Sequence, residues 1–338
     1  MVGVAVSANM DFEGRGLLMN RFSRRSFLGG IGMAVAGFAA PTFVKAGTST
    51  FKVAVITDEI SQDFDHACSV AANEFGMQWV ELRGMWNKSL QVLSDSEIAE
   101  ALKILAKYKL QVTDIASPLF KVDWLGAPRS QHSPKKDSSD AEKDFKAQDE
   151  VLDRSIDLAK QFRTNKVRCF DFWRLEDVAP YRAAIDSKLH DAATVCGKQD
   201  ILLVIENEFA CNTATGREAA KTLASVPSPH FAMNWDPGNA VMRGEMDAFS
   251  GGWDVLPKSR IRHCHVKNAM KGADGKIEWS PVGTGIIDWT AQFRALAKVG
   301  YHDAVSLETH WHGAATPEES TRISWAGMKQ ALKDSGNL

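Results

Sequence analysis

The sequence predicts an α/β protein, a (β/α)8 barrel built as a single domain. Three observations predict it. Short apolar runs alternate with helix-like stretches eight times between residues 51 and 334. These runs are continuously apolar, as parallel strands buried on both faces should be. Finally, four runs end in a potential metal ligand: Glu206 in ILLVIENE, Asp236 in HFAMNWDPGN, His265 in HCHVKN and Glu308 in DAVSLETH. The gaps between these residues are 30, 29 and 43 positions. About 30 residues make one strand-plus-helix unit, and a barrel of this kind carries its chemistry at the C-terminal ends of its strands. A doubly wound open sheet is the competing architecture, but no Gly-rich phosphate loop follows the first strand.

The elements follow in order. FKVAVIT (51 to 57) reads as the first strand and residues 63–75 as its helix. MQWVELR (77 to 83) is the second strand, followed by a helix over 95–108 with Asp95 as its cap and Glu97 in the first turn. LQVTDIAS (110 to 117) is the third. Residues 118–144 are polar and read as a long loop over the barrel mouth, before a helix over 146–162. NKVRCFDF (165 to 172) is the fourth strand, with a helix over 177–196. The remaining strands start near 201, 231, 262 and 304, with helices near 214–225, 245–258, 289–299 and 317–334. Residues 269–288 read as an insertion after the seventh strand. Connections of this kind are right-handed and close naturally into a barrel.

Of the 338 residues, 44% are hydrophobic and 24% charged, an ordinary globular balance that one large barrel accommodates. The formal net charge of −2 is a poor match to a nucleic-acid binder, which carries a basic footprint. The five cysteines, 68, 169, 196, 211 and 264, are scattered without a CxxC pair and read as buried free thiols.

Residues 1–46 read as a leader and 47–338 as the barrel. SRRSFLGG (23 to 30) resembles a twin-arginine export signal, a moderately apolar Gly/Ala-rich run follows, and Val44-Lys45-Ala46 resembles a cleavage site. The apolar run is too short to anchor the chain in a bilayer. This pattern implies a precursor handled by the twin-arginine machinery, a periplasmic location and export of an already folded protein.

On a strand, side chains alternate, so His263 and His265 face one way and Cys264 the other. Three carboxylates and one imidazole at neighbouring strand ends form a hard, oxygen-rich set. It suits one divalent ion, Mn²⁺ first, with Mg²⁺, Co²⁺ or Zn²⁺ as alternatives. An ion-pair cluster is the competing reading, but Lys267 is the one cation near these acids in sequence. Such an ion polarises a carbonyl and acidifies the C–H beside it.

These motifs resemble the xylose isomerase-like TIM barrels, the sugar phosphate isomerase/epimerase family, over residues 51–332. Glu206 in VIENE, Asp236 in NWDPGN, His265 as the second His of the HxH pair, and Glu308 in SLETH match the family's metal ligands in order. TDEIS (57 to 61) and VELR (80 to 83) also look like members. The resemblance implies a metal-dependent isomerase or epimerase acting on a sugar or keto-sugar through a metal-bound enediolate, with Glu206 and Glu308 as catalytic acid and base. A lyase or dehydratase of the same family, acting on a 3-keto-glycoside or similar keto-polyol, is the alternative. Where ketose epimerases carry a His three residues after the Asp, this chain has Asn239, which cannot exchange protons. An endonuclease IV-like nuclease would need more His and acidic ligands than this sequence offers. A sugar-binding barrel without chemistry would have no need of all four ligands.

Other residues are candidates for substrate binding. Lys267 can point into the mouth by strand parity, to hold an oxyanion or shuttle a proton, with a salt bridge to one of the acids as the alternative. His310 lies two residues past Glu308, His263 is placed to orient a ligand, and Glu59 and Arg83 follow the first two strands. Trp86, Trp173, Trp235 and Trp311 fall at or just past strand ends, where flat rings suit sugar C–H faces, although core packing is the commoner role for any one of them. The expected partner is a small carbohydrate, and homo-oligomerisation is left open. Replacing Arg24 and Arg25 with Lys should retain precursor inside the cell. Equal export of the variant on fractionation would rule out the twin-arginine reading.

Overall fold

The computed structural model describes residues 49–135 and 138–338, and the expected leader lies outside them. Eight parallel strands form one sheet. They are β1 (Lys52–Val55), β2 (Trp79–Leu82), β3 (Gln111–Leu119), β4 (Lys166–Cys169), β5 (Leu202–Glu206), β6 (Phe231–Trp235), β7 (Ile261–Val266) and β8 (Ala304–Leu307). Their order is β1-β8-β7-β6-β5-β4-β3-β2. A parallel bridge from Ile56 to Glu81 brings β1 back to β2, so the sheet curls into a (β/α)8 TIM barrel.

The helices cover the outer face: α1 (Phe64–Ser69), α2 (Asp95–Tyr108), α3 (Gln148–Gln161), α4 (Arg182–Gly197), α5 (Gly216–Ser225), α6 (Pro237–Met242), α7 (Trp289–Lys298) and α8 (Pro317–Asp334). Local sequence starts them. The cap of α2 is Ser94 rather than Asp95: its side chain accepts from Glu97 N, and Glu97 returns a bond to Ser94 N. Thr215 and Glu218 repeat that capping box at α5.

Two further expectations need correction. The loop over 118–144 ends in an extra helix, Ser138–Lys146. The helix expected over 245–258 is replaced by α6, a π-helical turn at Ala248–Gly252 and one turn at Trp253–Val255. Asp236 accepts from Asn239 N and Pro237 fills the first helical position, so the helix begins early; Gly244, at φ +98°, follows its end. The insertion over 269–288 carries an antiparallel hairpin of Asn268–Lys271 with Ile277–Ser280.

The apolar core lies between strands and helices; all five cysteines are buried free thiols, Cys68, Cys169, Cys196 and Cys264 within that core and Cys211 outside it. No helix of the described residues is long and apolar enough to cross a membrane. The barrel interior is polar. At its N-terminal end Asp303 accepts from Lys166 at 3.0 Å and Arg262 at 2.7 Å, and Lys166 is buried. Burial raises the Asp303 carboxyl, but Lys166 and Arg262 outweigh it and hold the group below its ordinary value.

Asp303→Asn should therefore destabilise the fold by about 3–5 kcal/mol at pH 7, because it leaves a buried ammonium uncompensated. The folded-state pKa is depressed, so this stabilisation is present above the unfolded value near 4. It is lost as pH falls through the folded value. Urea titrations of both proteins should converge in acid; equal midpoints at pH 7 would refute the role.

Candidate metal centre

The four predicted ligands converge. Glu206 ends β5, Asp236 follows β6, His265 is the penultimate residue of β7, and Glu308 follows β8. One donor atom from each lies within 4.8 Å of all the others, and all four side chains are buried. His265 Nδ1 is 3.2 Å from Glu206 Oε1, 3.1 Å from Glu308 Oε2 and 3.6 Å from Asp236 Oδ2. Ligands about 2.1 Å from an octahedral ion stand about 3.0 Å apart, so these separations fit a shared cation. Asp236 Oδ2 lies 2.8 Å from Lys267 Nζ yet accepts no well-directed hydrogen bond. A fully buried carboxylate oxygen left in that state is a ready ligand.

Each ligand is held from behind. Asp236 Oδ1 accepts from Asn239 N at 2.9 Å, and Asn239 Nδ2 donates to Glu206 Oε1 at 3.0 Å. Arg168 Nη1 donates to Glu206 Oε2 at 2.9 Å. Arg83 Nη1 donates to Glu308 Oε1 at 3.1 Å, and Lys267 Nζ to Glu308 Oε2 at 2.6 Å. His265 Nε2 lies 2.9 Å from Glu81 Oε1, the carboxylate–imidazole pairing that orients metal-bound histidines through their far nitrogen.

The electrostatics follow from these contacts. Burial raises the Glu206 carboxyl, but His265 and Arg168 outweigh it and hold it well below the usual range. Glu308 is likewise lowered, with Lys267, His310 and His265 overcoming burial. Burial lowers His265, yet Glu81, Glu206 and Glu308 push it far above its ordinary value. Lys267 is raised in the same way by Asp236 and Glu308 against burial. The carboxylates thus demand positive charge, and a divalent ion at Nδ1 would take the place of the imidazolium proton.

The other candidates divide. Arg83 bridges Asp58 (3.1 Å), Glu59 (2.8 Å) and Glu308. His310 Nδ1 lies 3.7 Å from Glu308 and 3.8 Å from Glu59, with no hydrogen-bond partner. His263 is fully buried, 3.2 Å from Asp114 Oδ1 and 3.1 Å from Asn234 Oδ1, while Asn234 Nδ2 reaches His265 Nε2 at 3.1 Å. It therefore adjoins His265 through Asn234. Trp173 shares Lys121 with Phe170, at 5.5 and 4.6 Å from the two rings. Trp235 is no platform: parity turns it outward into the core, where its Nε1 donates to Gln292.

Glu81, Arg168, Asn234 and Trp279 escaped the sequence reading. The signal for the first two was present as charge inside a short strand: Glu81 alone in WVEL, and Arg168 with Lys166 in KVRC. A cavity of about 500 Å³ adjoins the cluster, lined in part by Arg83, Arg168, Lys121, Phe170, Asp58 and Asn87. A larger one of about 1110 Å³ is lined by residues 128–131, 174–182 and parts of α5; neither cavity is lined by any of the four candidate ligands, and the smaller one meets them through Arg83 and Arg168.

A parallel barrel with a buried carboxylate–imidazole cluster at its strand ends is a TIM barrel with a site that could hold a metal ion. The chain belongs to the xylose isomerase-like TIM barrel family, whose sequence profile matches residues 70–331. No curated protein matches it. Among solved structures it is similar to the probable 3-DHS dehydratase AsbF of Bacillus anthracis, involved in petrobactin synthesis. That match has 20% identity and a TM-score of 0.60, covering 82% of this chain and 98% of that one. A xylose isomerase-like TIM barrel protein from Mycobacterium smegmatis in complex with magnesium matches at 17% identity and TM-score 0.60, covering 85% and 98%. The D-allulose 3-epimerase of Methylomonas sp. matches at 15% and 0.62, also covering 85% and 98%. At these identities the likeness is one of fold.

Glu308→Gln and Asp236→Asn should each lose most bound divalent metal while the far-UV helix signal stays intact. Glu81→Gln should weaken metal affinity by about 10- to 100-fold through His265. Elemental analysis and metal titration would measure both effects, and full occupancy in the first two variants would exclude the centre.

Proposed function

We propose that this protein is a metal-dependent enzyme that moves a proton on a carbon beside the carbonyl of a sugar or keto-sugar, as an isomerase or epimerase. One observation carries the reading. Glu206 and Glu308 enter the cluster from β5 and β8, and each has one oxygen on the cluster and the other on an arginine. Glu206, Asp236, His265 and Glu308 would hold a divalent ion, Mn²⁺ by preference, which would supply the electrophile that acidifies the C–H.

The side chains do the rest. His265 and Arg168 keep Glu206 ionised against burial, and Lys267, His310 and His265 do the same for Glu308, so both can accept a proton. The same contacts make them weak bases, so the carbon acid must be strongly activated before either can take its proton. Lys267 places an ammonium where negative charge develops on oxygen. The adjoining cavity lies in the size range of small-molecule sites, and its Phe170 and Lys121 offer one apolar and one polar contact to a polyol. Asn239 donates to Glu206 and leaves its own Oδ1 free for a hydroxyl. Elimination of a group β to the carbonyl would begin with the same proton removal; the fold-level likeness to a dehydratase supports keeping that reading second. Export through the twin-arginine pathway to the periplasm belongs to the same proposal and rests on SRRSFLGG.

In deuterated water, an accepted keto-sugar should gain deuterium at the carbon beside its carbonyl over many turnovers. An epimerase or isomerase puts the label in product, and a lyase in recovered substrate. Glu206→Gln should lower turnover at least about 100-fold. Clean turnover without label in either pool would point to hydride shift or hydrolysis and end this proposal.

A further inference from the structure

Lys267 stands at the open end of the barrel, one residue past β7, yet is 1% exposed. The hairpin rises directly after it and pairs Ala269 with Trp279. Its base is clamped by Asn268, whose Oδ1 accepts from Ala269 N and Ile287 N at 2.9 and 3.0 Å and whose Nδ2 donates to Ile287 O at 3.1 Å. The clamp sets where Trp279 falls. Its ring centroid lies 5.1 Å from Lys267 Nζ, within the range at which an indole face attracts an ammonium. His310 and Phe209 meet the indole edge-on at 5.2 and 6.3 Å.

Gly238 makes room for this packing. A Cβ there would lie 2.7 Å from Lys267 Cγ, 3.1 Å from Asp236 Oδ1 and 3.4 Å from Trp279 Cζ3. Only a residue without a side chain lets the lysine stem, the start of α6 and the indole approach so closely. Under this cover Nζ reaches Glu308 Oε2 at 2.6 Å and Asp236 Oδ2 at 2.8 Å.

We propose that Trp279 is a positioning residue that acts through Lys267. The hairpin holds the indole over the ammonium, keeps it dry and presses it onto the two carboxylate oxygens. A dry ammonium attracts charge far more strongly than a hydrated one. The insertion thereby becomes part of the reaction site without contributing a ligand. The kinetic consequence rests on the proposed proton-transfer chemistry; the burial of Lys267 does not.

The test is brief acetylation of the mature protein with an N-hydroxysuccinimide ester, read by peptide mass spectrometry. Lys276, 85% exposed, is the internal reference. In wild type, Lys267 should label at least tenfold more slowly than Lys276. Trp279→Ala should raise Lys267 labelling at least tenfold, and Trp279→Phe should restore most of the protection, with Lys276 unchanged in both. Gly238→Ala, which pushes on the lysine stem from the other side, should also expose Lys267 and serves if Trp279→Ala folds poorly. Unchanged Lys267 labelling in both Trp279→Ala and Gly238→Ala would overturn the inference, as would Trp279→Phe behaving like Trp279→Ala. With an accepted keto-sugar, Trp279→Ala should cut kcat about tenfold at unchanged metal content and add nothing in a Lys267→Met background. If wild type turns over no keto-sugar, the proposed function fails while the labelling still decides the role of Trp279.

Discussion

Glu81, Asp114, Glu206, Asp236 and Glu308 are all buried inside one barrel. Arg168 and Lys267 are the buried side-chain cations in contact with them, alongside the imidazoles of His263 and His265. Each ionised carboxylate removed from water costs several kcal/mol unless it is paired. This constraint shapes the site: the arginines reach across strands, the imidazoles stand between acids, and one Asp236 oxygen remains without a directed partner. A divalent cation relieves the same strain more completely than a lysine can, since it binds several oxygens at once.

The surrounding fold supplies the rigidity that makes such crowding tolerable. Every candidate ligand lies within one residue of a strand end, so the backbone ladder holds its Cα. Asp236 has two duties: it caps α6 through Oδ1 and offers Oδ2 to the cluster. Asn207 ties the two neighbouring strand ends together, accepting from Asp236 N at 2.8 Å and donating to its carbonyl at 2.7 Å. A barrel can thus carry reactive, destabilising charge at its mouth because the strands beneath are packed on both sides.

The arginine contacts also suggest how reactivity is restrained. Arg83 and Arg168 line the adjoining cavity as well as holding Glu308 and Glu206. The guanidinium groups line that cavity and the carboxylates of Glu206 and Glu308 do not, so each arginine stands between the cavity and one glutamate.

The chain sequence by itself determined the barrel and the order of its four ligands. Both are local signals: continuous apolar runs about one βα unit apart, each closed by an acid or an HxH pair that strand parity turns inward. It also marked the Ala269 to Asp288 stretch as an insertion. Only the tertiary structure decided what surrounds the ligands. Glu81 meets His265 from 184 positions away and Arg83 meets Glu308 from 225 away, contacts that no periodicity encodes. The sequence assigned mouth positions to four tryptophans, yet the fold turned Trp235 into the core and brought Trp279, from the insertion, over Lys267. The reason is physical: one residue of parity or one hairpin register decides which face a side chain shares, and closing the barrel decides which distant faces meet.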